Sequence, residues 1–152
     1  MKVTVRSAPP QPTLSIRGRA SMTNLSQSIG GFLGEVFGHT TKAGVPPAGM
    51  PFTRLHAVDG DEVELEAGIP IGGAAAGEGR VEGGELPGGL VASFDYFGPY
   101  DGLTGARDAL RAWARDNGYV ETGAPWEIYW TDPGAEADPQ KWRTEILLPV
   151  RK

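Results

Sequence analysis

Glu145 is the residue whose setting invites chemistry. It is a carboxylate inside Thr144-Glu145-Ile146-Leu147-Leu148-Pro149-Val150, the most apolar strand-like run of the chain. Side chains alternate along a strand, so Glu145, Leu147 and Pro149 share one face and Thr144, Ile146 and Leu148 the other. With Ile146 and Leu148 packed on a helix layer, Glu145 points to the opposite face, either into solvent or to the floor of a groove. The aromatics Phe94, Tyr96, Phe97, Tyr100, Trp113, Trp126, Tyr129, Trp130 and Trp142 crowd the same half of the chain. Most aromatics in a small domain are core. Those beside a carboxylate suit a flat organic cation, through stacking and cation–π contacts of about 0.5–2 kcal/mol each.

Other chemistries lack their residues. His39 and His56 have no HExxH or paired-ligand spacing, so no metal site is expected, and nothing points to a cofactor. No Gly-x-Ser-x-Gly elbow occurs. Gly77-Glu78-Gly79 meets Glu82 where a phosphate fingerprint needs its third glycine, and it reads as a linker. Arg107, Arg111 and Arg115 recur every four residues and read as a solvated helix face opposite Leu103, Leu110 and Trp113. The absence of cysteine excludes a disulfide scaffold and a thiol nucleophile. A formal charge of −5, from 14 Lys+Arg against 19 Asp+Glu, argues against nucleic acid as partner and is compatible with a cationic ligand. No apolar run approaches the ~18 residues of a membrane span, and the N-terminus does not read as an address. A cytoplasmic location is the expectation.

The elements that must position Glu145 form an internal duplication of strand, helix, strand, strand. At 152 residues with 39% hydrophobic content, the chain is long enough for one domain built of two halves. In the first half, Thr13 to Arg19 alternates as a strand. Met22, Leu25, Ile29, Phe32 and Val36 follow at helical spacing, with Gly30, Gly31 and Gly34 allowing close approach to the sheet. Phe52 to Val58 and Glu62 to Ile71 form two strands joined through Asp59-Gly60. In the second half, Gly89 to Phe97 is a strand and Asp101 the N-cap of a helix lined by Leu103, Ala106, Leu110 and Trp113. Asn117-Gly118 ends that helix, and Trp126 to Thr131 and Trp142 to Val150 are the closing strands. The half-repeats run over about residues 1–71 and 86–152. A glycine-rich connection, 72–89, carries a short edge strand around Val81. Both halves close on Glu-x-x-x-Pro, at Glu66–Pro70 and Glu145–Pro149.

Four segments in order carry a resemblance. Leu86-Pro87-Gly88-Gly89-Leu90-Val91-Ala92 with Phe97-Gly98-Pro99-Tyr100 resembles a motif of the GyrI-like, or AraC-effector-binding, small-molecule-binding family. So do Pro125-Trp126-Glu127-Ile128-Tyr129 with Asp132-Pro133, and the closing Thr144 to Val150. The match covers Leu86 to Val150 by motif and the first half by pattern. It implies an α+β fold of two βαββ, SHS2-like modules in pseudo-twofold arrangement, with helices on one side of antiparallel sheets and a ligand groove on the other. The family includes drug-sensing effector domains of transcription activators, a stand-alone gyrase inhibitor, and hydrolases of cyclopropane-bearing alkylating compounds. In its drug-sensing members the glutamate matching Glu145 faces cationic lipophilic ligands. Where the family motif often carries a histidine, this chain has Phe94-Asp95-Tyr96. The pattern starts within the first few residues, so no helix-turn-helix domain is expected on this chain.

The expected site therefore centres on Glu145. Tyr129 comes next, because it alternates with Trp126, Ile128 and Trp130 and faces the groove if those three face the helices. Leu147 and Tyr96 extend it, and Phe52 or Leu55 supplies a wall from the first half. The leading expectation is multidrug-type binding of lipophilic, often cationic aromatic molecules, for sequestration or sensing. The alternative is a hydrolase of strained rings in which Glu145 orients water and Tyr129 donates a proton. Inhibition of a protein partner such as gyrase is a third reading, resting on the family alone.

Overall fold

Alternating strands and two amphipathic helices assemble as the apolar periodicity dictates, in a computed structural model that describes residues 1–152. In chain order the elements are β1 (Thr4–Ala8), β2 (Gln11–Ser21), α1 (Leu25–Ala43), β3 (Phe52–Asp59), β4 (Glu62–Pro70), β5 (Glu82–Leu86), β6 (Gly89–Phe97), α2 (Leu103–Asp116), β7 (Val120–Glu121), β8 (Trp126–Tyr129) and β9 (Arg143–Arg151). The fold is mixed α/β with antiparallel pairing. The chain divides into two compact units, one of Pro10–Pro87 and one of Met1–Pro9 with Gly88–Lys152.

In the unit of residues 10–87 the strands run β5-β2-β4-β3. Leu14 and Ile16 of β2 and Val63, Leu65, Ala67 and Ile69 of β4 turn to one side, where Phe32 and Val36 of α1 bury against them. The other side carries the alternate residues. Arg17 pairs with Glu64 at 3.2 Å and Arg19 with Glu62 at 2.6 Å, a charged face. Helix α1 ends at Gly44, whose φ of 70° lets its amide and that of Val45 return to the carbonyls of Thr41 and Thr40. The helix glycines do not serve a close approach. A Cβ at Gly30, Gly31 or Gly34 would meet nothing within 4 Å, because these positions face away from the sheet. The close contacts are on the strands: a Cβ at Gly18 would touch the Phe32 ring at 3.3 Å, and one at Gly68 would lie 2.3 Å from the Leu14 carbonyl oxygen.

In the other unit the strands run β1-β6-β9-β8, with β7 also on β9. Ala92, Ile146, Leu148 and Val150 meet Leu103, Leu110 and Ala114 of α2. The register matches that of the first unit. Ser15 stands opposite Gly68 and Arg17 opposite Glu66, as Ser93 stands opposite Leu147 and Asp95 opposite Glu145. Phe52 faces Gly68 as Trp126 faces Leu147.

Two local expectations change. Residues 4–8 pair with β6, not within the first half; the expected edge strand of the glycine-rich connection is β5, which completes the sheet of residues 10–87. Both pairings are long-range in sequence, where local pattern carries no register information. Asp101 is not the N-cap of α2. A 3-10 turn, Tyr100–Gly102, precedes the helix, and Gly102 occupies the cap with no side-chain bond.

Candidate functional site

The β9 alternation places Glu145 and Leu147 on the side away from α2, since Ile146, Leu148 and Val150 are held in the α2 core. The Glu145 side chain is only 13% exposed. Trp130, just past β8, donates its indole N–H to Glu145 Oε1 at 3.1 Å. Arg6, on the edge strand β1, donates from Nη2 to Glu145 Oε2 at 3.4 Å and from Nη1 to Ser93 Oγ at 2.8 Å. On the same face of β9, two residues from Glu145, Arg143 has its Nε 3.1 Å from Oδ1 of Asp95, the residue opposite Glu145, and its guanidinium 5.0 Å from the centroid of Trp130. A cleft of about 440 Å³ beside them is lined by Lys2, Arg6, Asp95, Phe97, Arg143 and Glu145. It presents two carboxylates, cationic side chains and an aromatic ring, with the Trp130 indole bonded to Glu145 beside it, which together can recognise charge and a flat apolar surface.

Tyr129 lies on the wrong side for this site. Its hydroxyl donates to Glu127 Oε2 at 3.2 Å, and its ring is 5.6 Å from Tyr100, within the α2 core. The cause is an ion pair under the helix. Arg107 of α2 binds Glu127 of β8, with side chains 11% and 6% exposed, and this pair draws the Glu127/Tyr129 phase inward. Trp126, Ile128 and Trp130 therefore turn to the Glu145 side, with Ile128 directly opposite Glu145 and Trp126 opposite Leu147. Arg107 is thus not part of a solvated face. Its position between Leu103 and Leu110, at spacings of four and three, was the signal for a charge on the buried face of α2. Tyr96 is corrected likewise. Its hydroxyl donates to the Pro99 carbonyl at 2.8 Å, and it packs in the α2 core. A tyrosine proton donor beside Glu145 is consequently not formed by Tyr129 or Tyr96. Burial and, secondarily, the charge of Asp132 hold the Tyr100 hydroxyl above its ordinary pKa, in that same core.

Leu147 is buried beside Glu145 on the same side, between Ser93 and Trp126 of the neighbouring strands. In the unit of residues 10–87, Phe52 is buried on the side away from α1, opposite Gly68, whereas Leu55 pairs with Leu65 and packs against the α1 core. Of these two, Leu55 is a helix-side residue. The counterpart carboxylate, Glu66, is already bonded. Ser15 Oγ donates to its Oε2 at 2.8 Å, and His56 Nε2 lies 2.7 Å from Oε1. Arg54 stands opposite Glu66, and its pKa is lowered by burial against the opposing pull of that carboxylate. No helix is long and apolar enough to cross a membrane.

Residues 1–151 match the GyrI-like small molecule binding domain. No curated protein matches the chain. The C-terminal domain of EcmrR is similar over 99% of this chain and 98% of that one, with 25% identity and a TM-score of 0.87. Against the EcmrR chain in its complex with DNA, this chain spans 57% of the length. SAV2435 bound to tetraphenylphosphonium is similar over 99% of this chain and 94% of that one, at 15% identity and a TM-score of 0.65. A hydrolase from Listeria innocua matches over 99% and 92%, at 17% identity and a TM-score of 0.63. The last two likenesses are of fold.

Proposed function

The chain belongs to the GyrI-like family of small-molecule-binding domains, and from this premise we propose that it binds lipophilic aromatic cations, with Glu145 as their charge partner. The observation that carries the reading is the Glu145 carboxylate itself, nearly buried on the helix-free side of β9 and bonded to the Trp130 indole. A carboxylate in that setting offers a full charge that water screens little, and Trp130 and Phe97 add exposed apolar surface. Tetraphenylphosphonium, the ligand of the similar SAV2435, has this chemistry. Sequestration or sensing of such molecules is the role that follows. The proposal includes a duplicated architecture of two βαββ, SHS2-like modules, supported by the shared register around Glu66 and Glu145.

The ligand set differs from the sequence expectation in one respect. Trp130, with Ile128 and Trp126 on the same side, takes the place foreseen for Tyr129 and Tyr96, while Leu147 stays beside Glu145. The test is calorimetric titration with tetraphenylphosphonium. Glu145→Gln keeps shape and hydrogen-bonding capacity but removes charge, so affinity falls more than about tenfold, roughly 1.4 kcal/mol. Equal binding by the wild type and the variant overturns the reading.

A further inference from the structure

The chain places cations of its own at both recognition groups. Arg6 reaches Glu145 Oε2 at 3.4 Å from the edge strand β1, and Arg143 lies over the Trp130 ring at 5.0 Å. We propose that Arg6 is a specificity-determining residue, an intramolecular competitor that an organic cation must displace from Glu145. The inference rests on the function proposed above and adds a regulator to that site.

Three features of Arg6 favour displacement over permanent pairing. Its contact with Glu145 is long beside the ~2.7–2.9 Å of a strong charge-assisted bond. Its side chain is 48% exposed, so the guanidinium can turn into water without losing solvation. A second anchor, Ser93 Oγ at 2.8 Å, keeps it on the rim of the cleft and ready to return. A pair with one half-exposed partner is worth at most about fivefold in an equilibrium constant. Arg6 therefore neutralises the carboxylate at little cost to an entering ligand. A small hydrated cation gains nothing over Arg6, because it exchanges one guanidinium contact for another ionic one. A lipophilic cation gains the exposed apolar surface of Trp130 and Phe97 as well, and so prevails. Arg6 thus filters ligands for the combination of positive charge and apolar area.

The experiment is titration of tetraphenylphosphonium into the wild type, Arg6→Gln, Lys2→Gln, Glu145→Gln and the Arg6→Gln/Glu145→Gln and Lys2→Gln/Glu145→Gln pairs. Lys2 lines the same cleft, and its variant sets the baseline for losing one positive charge nearby. Arg6→Gln should tighten binding about three- to fivefold and by more than Lys2→Gln. In the Glu145→Gln background the two variants should give the same gain. An Arg6→Gln effect no larger than that of Lys2→Gln, or one that persists undiminished without Glu145, overturns the competitor role. If Glu145→Gln binds like the wild type, or nothing binds, the functional reading falls first and the Arg6 role with it. If Glu145→Gln weakens binding while Arg6→Gln is neutral, only the Arg6 role falls.

Discussion

Arg107→Met is the substitution that tests why Trp126 and Trp130 lie on the Glu145 side. Arg107 and Glu127 are 11% and 6% exposed, and their ion pair bridges α2 and β8. Removing the guanidinium leaves the Glu127 carboxylate buried with the Tyr129 hydroxyl, 3.2 Å away, still bonded to it. Breaking one partner of a buried pair costs about 3–5 kcal/mol, because an uncompensated charge remains in a medium that solvates it poorly. The surviving Tyr129 bond places the expected loss near the lower end, about 3 kcal/mol. For a chain of this length that lowers Tm by about 6–12 °C. Arg107→Met combined with Glu127→Leu removes both charges and recovers most of the loss. Urea unfolding followed by tryptophan fluorescence reads both variants, with the slope of the transition unchanged. A loss below about 1 kcal/mol for Arg107→Met refutes the reasoning, since it means that Glu127 is solvated and that β8 has the opposite phase.

Two further outcomes follow from the same structure. Gly34→Ala should stabilise α1 by up to about 1 kcal/mol, since its Cβ would meet nothing, whereas Gly68→Ala should cost about 1–3 kcal/mol through its clash with the Leu14 carbonyl; thermal unfolding separates the two, and a stabilising Gly68→Ala contradicts the packing. Tyr100, raised by burial and then by Asp132, contributes stability that is complete below the ordinary tyrosine pKa of about 10. Above that pH the unfolded chain has lost a proton that the native state keeps, so stability falls as pH rises through the folded value. Ultraviolet titration should show a late-ionising tyrosine component that Tyr100→Phe removes, and identical late limbs for the two proteins contradict this.

What the sequence made legible was whatever depends on local periodicity. The Glu145 face followed from Ile146 and Leu148 alone, and Asn117-Gly118 marked the end of α2, where Gly118 has a φ of 80°. The β8 phase was not legible from hydrophobicity. Three apolar residues, Trp126, Ile128 and Trp130, argued for the helix side, and one ion pair between residues 20 positions apart decided against them. That pair displaced Tyr129 from the site and put Trp130 into it. The neighbours of Glu145 were hidden for a related reason. Arg6 is 139 residues away in sequence, and only the pairing of β1 with β6 brings it near. Glycines in α1 read as packing devices because helix glycines often are, yet theirs is an open face.

The central claim is that the Glu145 charge selects cations, and a pair of ligands equal in shape and opposite in charge tests it most directly. Tetraphenylphosphonium and tetraphenylborate should be titrated into the wild type and Glu145→Gln under identical salt. The account predicts that the wild type prefers the cation, and that Glu145→Gln shifts the cation-to-anion affinity ratio by more than about tenfold toward the borate. A ratio that does not change on substitution contradicts it, because the carboxylate would then contribute no charge to recognition.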